Sequence, residues 1–113
     1  MIIITGVEGF IGSNLRKHLQ DHNEIVEVTI DNCMQFIDTF DQWEDVKLIL
    51  HQGAISSTTE KNLSKLHKFN VEFTLSLFKK AIIYQIDTKY ASSASVYGNN
   101  RYYKYNPLNY YAI

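Results

Sequence analysis

Short apolar runs alternate along this chain with longer segments in which apolar residues recur at helical spacing. The apolar runs are typical of buried strands, and we predict strands at residues 1–5, 25–31, 46–51 and 88–94. Spacings of three and four residues predict one helix over 10–22 and a second over 60–85. The acidic stretch 35–45 favours at most a short helix, and 97–109 is a polar, aromatic loop. This alternation predicts an α/β fold with a parallel sheet and right-handed crossovers.

Composition and charge narrow the class of protein. A chain of 113 residues with 45% hydrophobic residues, one Pro and five Gly is one domain at most, and neither disordered nor collagen-like. A net charge of −1 gives no electrostatic basis for binding nucleic acid or a membrane surface. The apolar runs are much shorter than the ~20 residues of a membrane span. The single cysteine, Cys33, and an N-terminus without a secretory pattern lead us to expect a cytoplasmic protein.

Three glycines separate the first predicted strand from the first predicted helix. Gly6 allows a tight turn, Gly9 lets backbone N–H groups approach a pyrophosphate, and Gly12 lets the helix pack on the strand. Asp31 follows Gly12 by 19 residues, at the end of the second predicted strand, where a dinucleotide fold places an acid for ribose hydroxyls. Glycines alone would indicate only a turn. The strand, the helix and the acid together favour a dinucleotide site.

The G-x-x-G-x-x-G spacing resembles that of the extended short-chain dehydrogenase/reductases, which bind NAD or NADP. Further segments are similar to the ADP-L-glycero-D-manno-heptose 6-epimerase branch of that family: "HQGAISSTTE" (51–60), "KYASSASVYG" (89–98) and "PLNYYAI" (107–113). The Ser-Ser-Thr-Thr-Glu run separates this branch from UDP-galactose epimerases and sugar-nucleotide dehydratases. The resemblance covers most of the chain but only about the N-terminal third of such an enzyme.

The resemblance implies roles for individual residues. Asn70 would hold the active-site backbone, Ser93 would hydrogen-bond the substrate hydroxyl, and Tyr111 would be the catalytic tyrosine. The implied cofactor-binding residues are Gly6, Gly9, Phe10, Ile11 and Gly12 at the pyrophosphate, Asp31 and Asn32 at the adenosine ribose, and Gln52, Gly53, Ala54, Ile55 and Ser56 beside the cofactor.

The implied activity is an NAD(P)-dependent nucleotide-sugar epimerisation. In this family a tyrosine takes a hydroxyl proton while hydride moves to the nicotinamide, and the resulting ketone is reduced on its other face. The implied substrate is an ADP-heptose, a precursor of the lipopolysaccharide core, and the cofactor is NADP or NAD. The implied partners are the nucleotide-sugar substrate and either a second copy of the chain or a completing polypeptide.

Two departures from the family pattern modify this expectation. The family's activating lysine, four residues after the tyrosine, and its substrate domain would both fall after Ile113. We therefore expect residues 1–113 to be a partial NAD(P)-binding domain with little or no epimerase activity alone. Only 19 residues, 32–50, separate Asp31 from His51, too few for the strand and crossover of a complete dinucleotide half. We expect a truncated, doubly wound Rossmann-type sheet that lacks one βα element.

Other interpretations remain open for the function and for several side chains. The chain could be a non-catalytic cofactor-binding remnant, the product of a truncated or split gene, or another sugar-nucleotide epimerase or dehydratase. Residues 56–59 could cap the following helix rather than contact a ligand. His51, at a strand end, is interpreted as structural. His18 and His22 have metal-ligand spacing but no third ligand, so we expect no metal site.

Overall fold

The computed structural model of the chain describes residues 1–57 and 59–93. These residues form a fully parallel sheet in the spatial order β2-β1-β3-β4. The strands are β1 Ile2–Thr5, β2 Ile25–Val28, β3 Leu48–His51 and β4 Asp87–Tyr90. The helices are α1 Phe10–Leu19, α2 Cys33–Thr39, α3 Leu63–Leu66 and α4 Phe73–Tyr84, with a 3-10 turn at Trp43–Asp45 and a π-helical stretch at His67–Glu72 that joins α3 to α4.

The strand order creates a switch point between β1 and β3. The chain moves outward from β1 to β2, then crosses back past β1 to build β3 and β4 on the other side. Ligands bind outside the carboxyl ends of the strands at such points. Within the described residues β2 pairs with β1 alone, whereas the full Rossmann order places another strand beyond it. The predicted α/β Rossmann-type sheet is thus confirmed, and the free side of β2 fits the expected loss of one βα element.

The two central strands, β1 and β3, are buried on both faces, with successive side chains pointing to opposite sides of the sheet. Ile3 and Ile49 face a core that includes Phe73 and Leu77 of α4. The alternate residues Ile2, Ile4 and Leu50 form a second core with Val7, against which Leu15 and Leu19 of α1 pack. Helices on both faces explain why these strands are continuous apolar runs rather than alternating ones.

All four strands are shorter than the apolar pattern predicts, β1 by a single residue. The strand predicted at 25–31 ends at Val28 because Asn32 Oδ1 accepts the N–H of Thr29 at 2.9 Å and so ends the ladder. The strand predicted at 46–51 begins at Leu48, because the N–H of Val46 bonds to the Trp43 carbonyl at 3.2 Å. The fourth strand ends at Tyr90 rather than at residue 94. The predicted loop 97–109 lies outside the described residues.

Both long helices also differ at their ends. The first ends at Leu19 rather than at residue 22. The second begins at Leu63 rather than at residue 60, and its N-cap is Asn62, whose Oδ1 accepts the N–H of Lys65 at 3.1 Å. The interpretation of residues 56–59 as that cap is therefore wrong. No helix within the described ranges is long and apolar enough to cross a membrane.

The acidic connection between β2 and β3 is more ordered than its pattern indicates. Trp43 is buried, and its ring centroid lies 5.6 Å from that of Phe36 and 4.9 Å from that of Phe40. The indole Nε1–H donates to the Phe40 carbonyl at 2.9 Å, so its polar atom is satisfied. Tyr84 of α4 stacks on the same indole at 6.3 Å. This aromatic cluster fixes the short crossover that leads from β2 to β3.

Candidate functional site

A cleft of about 780 Å³ lies at the switch point, against the carboxyl ends of β1 and β3. Most residues that the sequence implicates line it: Gly6, Gly9, Phe10, Ile11, Gly12, Gln52, Gly53, Ala54, Ser56, Asn70 and Ser93. Asp31, Asn32 and Ile55 do not line it. Tyr111 lies outside the described residues. The cleft thus brings together two glycine-containing loops and the segment after β4.

The three glycines of the first loop have different surroundings. Gly6 adopts φ +73°, and a Cβ there would lie 2.8 Å from the backbone N of Gly53. A Cβ on Gly12 would lie 2.0 Å from the Gly6 carbonyl oxygen, which the fold does not allow. Gly9 has ordinary extended backbone, with φ −79° and ψ 170°, and among the described residues its Cβ would meet only the Gly6 oxygen, at 3.4 Å. Neither its conformation nor its packing against the described part of the chain explains the glycine at position 9.

The amino end of α1 opens onto the cleft. Its N-cap is Gly9, which has no side chain to bond the first-turn N–H groups, and the first turn contains no acidic residue. The first N–H groups of a helix have no partner within it, and they concentrate the positive end of the helix dipole. Such an end favours phosphate or another anion. Phe10 is 85% exposed at this entrance, so apolar surface adjoins the anion-binding groups.

The loop after β3 is held in place from two sides. On one side, Thr5 Oγ1 accepts the N–H groups of Gln52 at 3.1 Å and Gly53 at 2.8 Å. On the other, the Asn70 side chain accepts the Ile55 N–H at 2.7 Å and donates to the Ile55 carbonyl at 3.0 Å. Asn70 lies in the π-helical stretch, a local geometry that often accompanies functional sites. The loop therefore forms a preorganised wall of the cleft.

His51 lies beneath this wall and connects three elements. Its Nδ1 is 2.7 Å from Thr5 Oγ1 in β1, and its Nε2 is 2.7 Å from Thr74 Oγ1 in α4. The side chain is buried, and burial lowers the pKa of the imidazole below its ordinary value. These contacts fit the interpretation of His51 as a structural residue. Sequence reasoning missed Thr5 and Thr74; the available signal was a hydroxyl at the end of an apolar strand and another four residues after Asn70.

The expected ribose residues lie just outside the cleft. Asp31 is exposed in the turn that follows β2, and Asn32 Oδ1 accepts the N–H of Thr29. Thr29 and Ile30 line the cleft in that region, because β2 ends earlier than the sequence predicts. Cys33 also lines the cleft, and burial raises the pKa of its thiol.

Ser93 reaches the cleft from the segment after β4, together with its neighbours Ala91 and Ser92. All strands are parallel, so the segment after β4 leaves the sheet at the same edge as the glycine loop after β1. Strand β3 lies between the two. Within residues 1–57 and 59–93, no group of three His, Cys, Asp or Glu side chains could hold a metal ion.

Comparison with protein families gives one match over nearly the whole chain. Residues 2–113 match the family described as the NAD dependent epimerase/dehydratase family.

Individual relatives agree with this match. The ADP-L-glycero-D-manno-heptose-6-epimerase of Brachyspira hyodysenteriae is 32% identical over 147 aligned positions, which include all of this chain and 45% of the relative. The chain has only 113 residues, so the relative has further residues within the matched stretch, as a missing βα element would require.

Solved structures show the same correspondence. The ADP-L-glycero-D-manno-heptose-6-epimerase of Helicobacter pylori superimposes with a TM-score of 0.75 and 25% identity, over 98% of this chain and 46% of that protein. The UDP-glucuronic acid 4-epimerase of Bacillus cereus, in complex with NAD, gives a TM-score of 0.74 at 21% identity, over 98% of this chain and 47% of that protein, which shows likeness of fold. The chain thus spans about half the length of the relatives it matches.

Proposed function

Because this chain belongs to the NAD dependent epimerase/dehydratase family, we propose that its cleft binds a nicotinamide dinucleotide, NAD or NADP. Gly9 is the observation that supports this most directly. Its backbone is ordinary and the described residues around it would tolerate a Cβ, so the fold does not require a glycine there. The absence of a side chain instead leaves space in the cleft. That space adjoins the uncapped amino end of α1, where a pyrophosphate is favoured.

Different segments of the chain would bind different parts of the dinucleotide. The first-turn N–H groups of α1 would hold the pyrophosphate, with Gly9 permitting its close approach. The adenosine half would pass along the Thr29–Ile30 turn, which lines the cleft, and the exposed Asp31 follows in the same turn. The loop fixed by Thr5 and Asn70 would support the other half. When bound, the nicotinamide supplies reversible hydride transfer with a secondary alcohol.

The reaction we propose is epimerisation of a nucleotide sugar, specifically an ADP-heptose at its sixth carbon, through a keto intermediate. The 32% identity to a heptose epimerase over the whole chain supports this choice. Ser93 would hydrogen-bond the substrate hydroxyl, and its position on the cleft is compatible with that role. Tyr111 would hold and return the hydroxyl proton. The product would be a precursor of lipopolysaccharide core, made in the cytoplasm.

We further propose that nucleotide binding and turnover are separable in this chain. It corresponds to 45% of one relative and 46% of another, so each relative has a second half that this chain does not match. This chain alone would bind the dinucleotide without turning over the sugar. Turnover would require residues that correspond to that other half.

A thermal melt of the purified chain with NAD, NADP or neither tests the binding proposal. A ligand that binds only the folded state at 100 times its Kd adds about 2.7 kcal/mol to stability. We expect an upward shift with one dinucleotide and a smaller shift with the other, and ADP-ribose should reproduce most of it. Nicotinamide mononucleotide, which lacks the adenosine half, is the matched control and should shift the melt little. No shift with either dinucleotide at saturating concentration would contradict the proposal.

A second assay addresses the reaction. The purified chain should not interconvert ADP-heptose epimers, and a polypeptide supplying the other half of the relatives should restore interconversion. Clear turnover by the chain alone would refute its proposed inactivity. Restored turnover of a UDP-hexose instead of an ADP-heptose would refute the proposed sugar.

A further inference from the structure

The contacts of Thr5 determine where its hydroxyl proton lies. A threonine hydroxyl has one proton to donate and two lone pairs that accept. The N–H groups of Gln52 and Gly53 are pure donors, and both bond Thr5 Oγ1, at 3.1 and 2.8 Å. They occupy both lone pairs, so the Thr5 proton must be given to its remaining partner, His51 Nδ1, at 2.7 Å.

This direction fixes the state of the imidazole. Because His51 Nδ1 accepts, it has no proton, and the ring is neutral with its proton on Nε2. Nε2–H then donates to Thr74 Oγ1 at 2.7 Å. The surroundings suit an uncharged ring, since its centroid lies 5.8 Å from that of Phe73 and 6.1 Å from that of Phe78. Burial independently lowers the pKa of His51.

The chain of bonds joins the two loops that enclose the cleft. Thr5 and His51 end adjacent strands and are aligned in register. One residue beyond them, Gly6 and Gly53 approach so closely that a Cβ on Gly53 would lie 3.0 Å from the Gly6 N. A shift of the Thr5 hydroxyl would therefore release the amides of the second loop where it contacts the first.

We propose that His51 is a positioning residue of the dinucleotide site: through Thr5, its neutral ring holds the Gln52 and Gly53 amides, and with them the wall of the cleft, in the binding geometry. This inference rests on the proposed function. Protonation of Nδ1 would set an N–H against a hydroxyl whose lone pairs are both in use. One amide would then lose its acceptor, and dinucleotide affinity would fall at acidic pH.

The described groups that face the ring are threonine and aromatic side chains, so we assign this pH dependence to His51 itself. From β1 it meets Thr5, and from α4 it meets Thr74, Phe73 and Phe78. From β4 the aligned residue is Tyr90. Among the described residues, burial is the cause of the lowered pKa of His51, with no charged side chain contributing.

The tautomer can be measured on the wild-type chain without any ligand. Long-range ¹H–¹⁵N NMR spectra distinguish a protonated ring nitrogen from an unprotonated one. At neutral pH we expect His51 Nε2 to be protonated and Nδ1 to be unprotonated. A proton on Nδ1, in the other tautomer or in an imidazolium, would overturn the inference.

Paired variants test the positioning role through the affinity for NADH or NADPH, measured by nucleotide fluorescence. Thr5→Val removes the hydroxyl at constant shape and leaves two partly buried N–H groups without their acceptor, so we expect Kd to rise roughly tenfold or more. Thr5→Ser keeps the hydroxyl and should bind nearly as the wild type. His51→Asn places an amide oxygen near the Nδ1 position and should retain affinity better than His51→Gln, whose amide is near the Nε2 position.

The pH profile separates positioning from mere stability. Wild-type Kd should rise as the pH falls below the ordinary range of histidine, whereas His51→Asn should show a flat profile. Equal affinity of Thr5→Val and the wild type, or the same acid limb in His51→Asn, would overturn the inference while leaving the proposed function intact. If the folded wild type bound no dinucleotide, both would fall. Should Thr5→Val not fold, the NMR tautomer and the His51→Asn profile still decide the outcome.

Discussion

A methyl group at Gly9 and one at Gly12 would meet very different surroundings, although the residues lie three positions apart. We predict that Gly9→Ala weakens dinucleotide binding at least tenfold, because the methyl occupies space at the phosphate-binding end of α1. Its cost in unfolding free energy should be at most about 1 kcal/mol, the usual difference between Gly and Ala at an N-cap. Calorimetric titration and urea denaturation of the same variant measure both quantities.

Gly12→Ala is the matched control. Its Cβ would lie 2.0 Å from the Gly6 carbonyl oxygen, so the helix must move away from β1 and the fold itself is damaged. We expect a loss of several kcal/mol, on the scale of overpacked core sites. If Gly9→Ala destabilised the fold as much as Gly12→Ala, or bound the dinucleotide as the wild type does, the role assigned to Gly9 would be wrong.

His51 gives the stability of the fold a predictable pH dependence. Its folded pKa is lowered by burial, so between that value and its ordinary value of 6.5 the unfolded chain binds more protons. Its contribution to stability is complete above about pH 6.5 and is lost as the pH falls toward the folded pKa. Urea denaturation from pH 7.5 to 5 should show this decline, and His51→Asn should lack its share of it. A decline of the same size in both proteins would assign it to groups other than His51.

The ends of the elements follow from single side chains that a hydrophobic pattern does not register. Helix α4 ends where Gln85 adopts left-handed backbone, with φ 54° and ψ 48°. The Ile86 N–H then reaches back to the Ala81 carbonyl at 2.8 Å, which is a Schellman-type end. This conformation costs a non-glycine residue about 1 kcal/mol. We predict that Gln85→Gly raises the unfolding free energy by about 0.5–1 kcal/mol, measured by urea denaturation.

The comparison variant for this end is Gln85→Ala, which keeps the Cβ and its strain. It should match the wild type within a few tenths of a kcal/mol, because the Gln85 side chain is exposed. A Gln85→Gly protein less stable than Gln85→Ala would show that the helix end is relaxed as it stands.

Elements with strong periodicity were predictable, and those fixed by tertiary contacts were not. Apolar runs and the spacing of Leu15 and Leu19 identified β1, β3 and α1 because both faces of the sheet bury such residues. The glycine loop likewise identified the cleft. The burial of Trp43 depends on rings brought together by folding, and the hydroxyl of Thr5 acquires its role only when β3 lies beside β1. Neither the packing of Trp43 nor the hydrogen bonds of Thr5 can be predicted from a local sequence pattern.

At the scale of the whole molecule, the sheet distributes stability unevenly. Within the described residues β1 and β3 each pair on both sides, whereas β2 and β4 pair on one side. The most completely buried side chains include Ile3, Ile4 and Ile49 in the central pair. Residues in such positions exchange amide hydrogens only on global unfolding, while edge elements open locally at lower cost.

Hydrogen exchange should therefore show the slowest amides in β1 and β3 and faster exchange in β4, whose residues are mostly exposed. Addition of the dinucleotide should slow the amides of Gln52 and Gly53 more than those of β2, because their shared acceptor, Thr5, lies at the wall of the cleft. The outer edge of β2, which has no partner strand among the described residues, should keep its fast exchange, since ligand binding at the switch point supplies no partner for it. Uniform slowing of all four strands would mean that the ligand acts only through global stability. Slowing centred on the Gln52 and Gly53 amides would instead show that binding orders the loop that the Thr5 hydroxyl holds at the edge of the sheet.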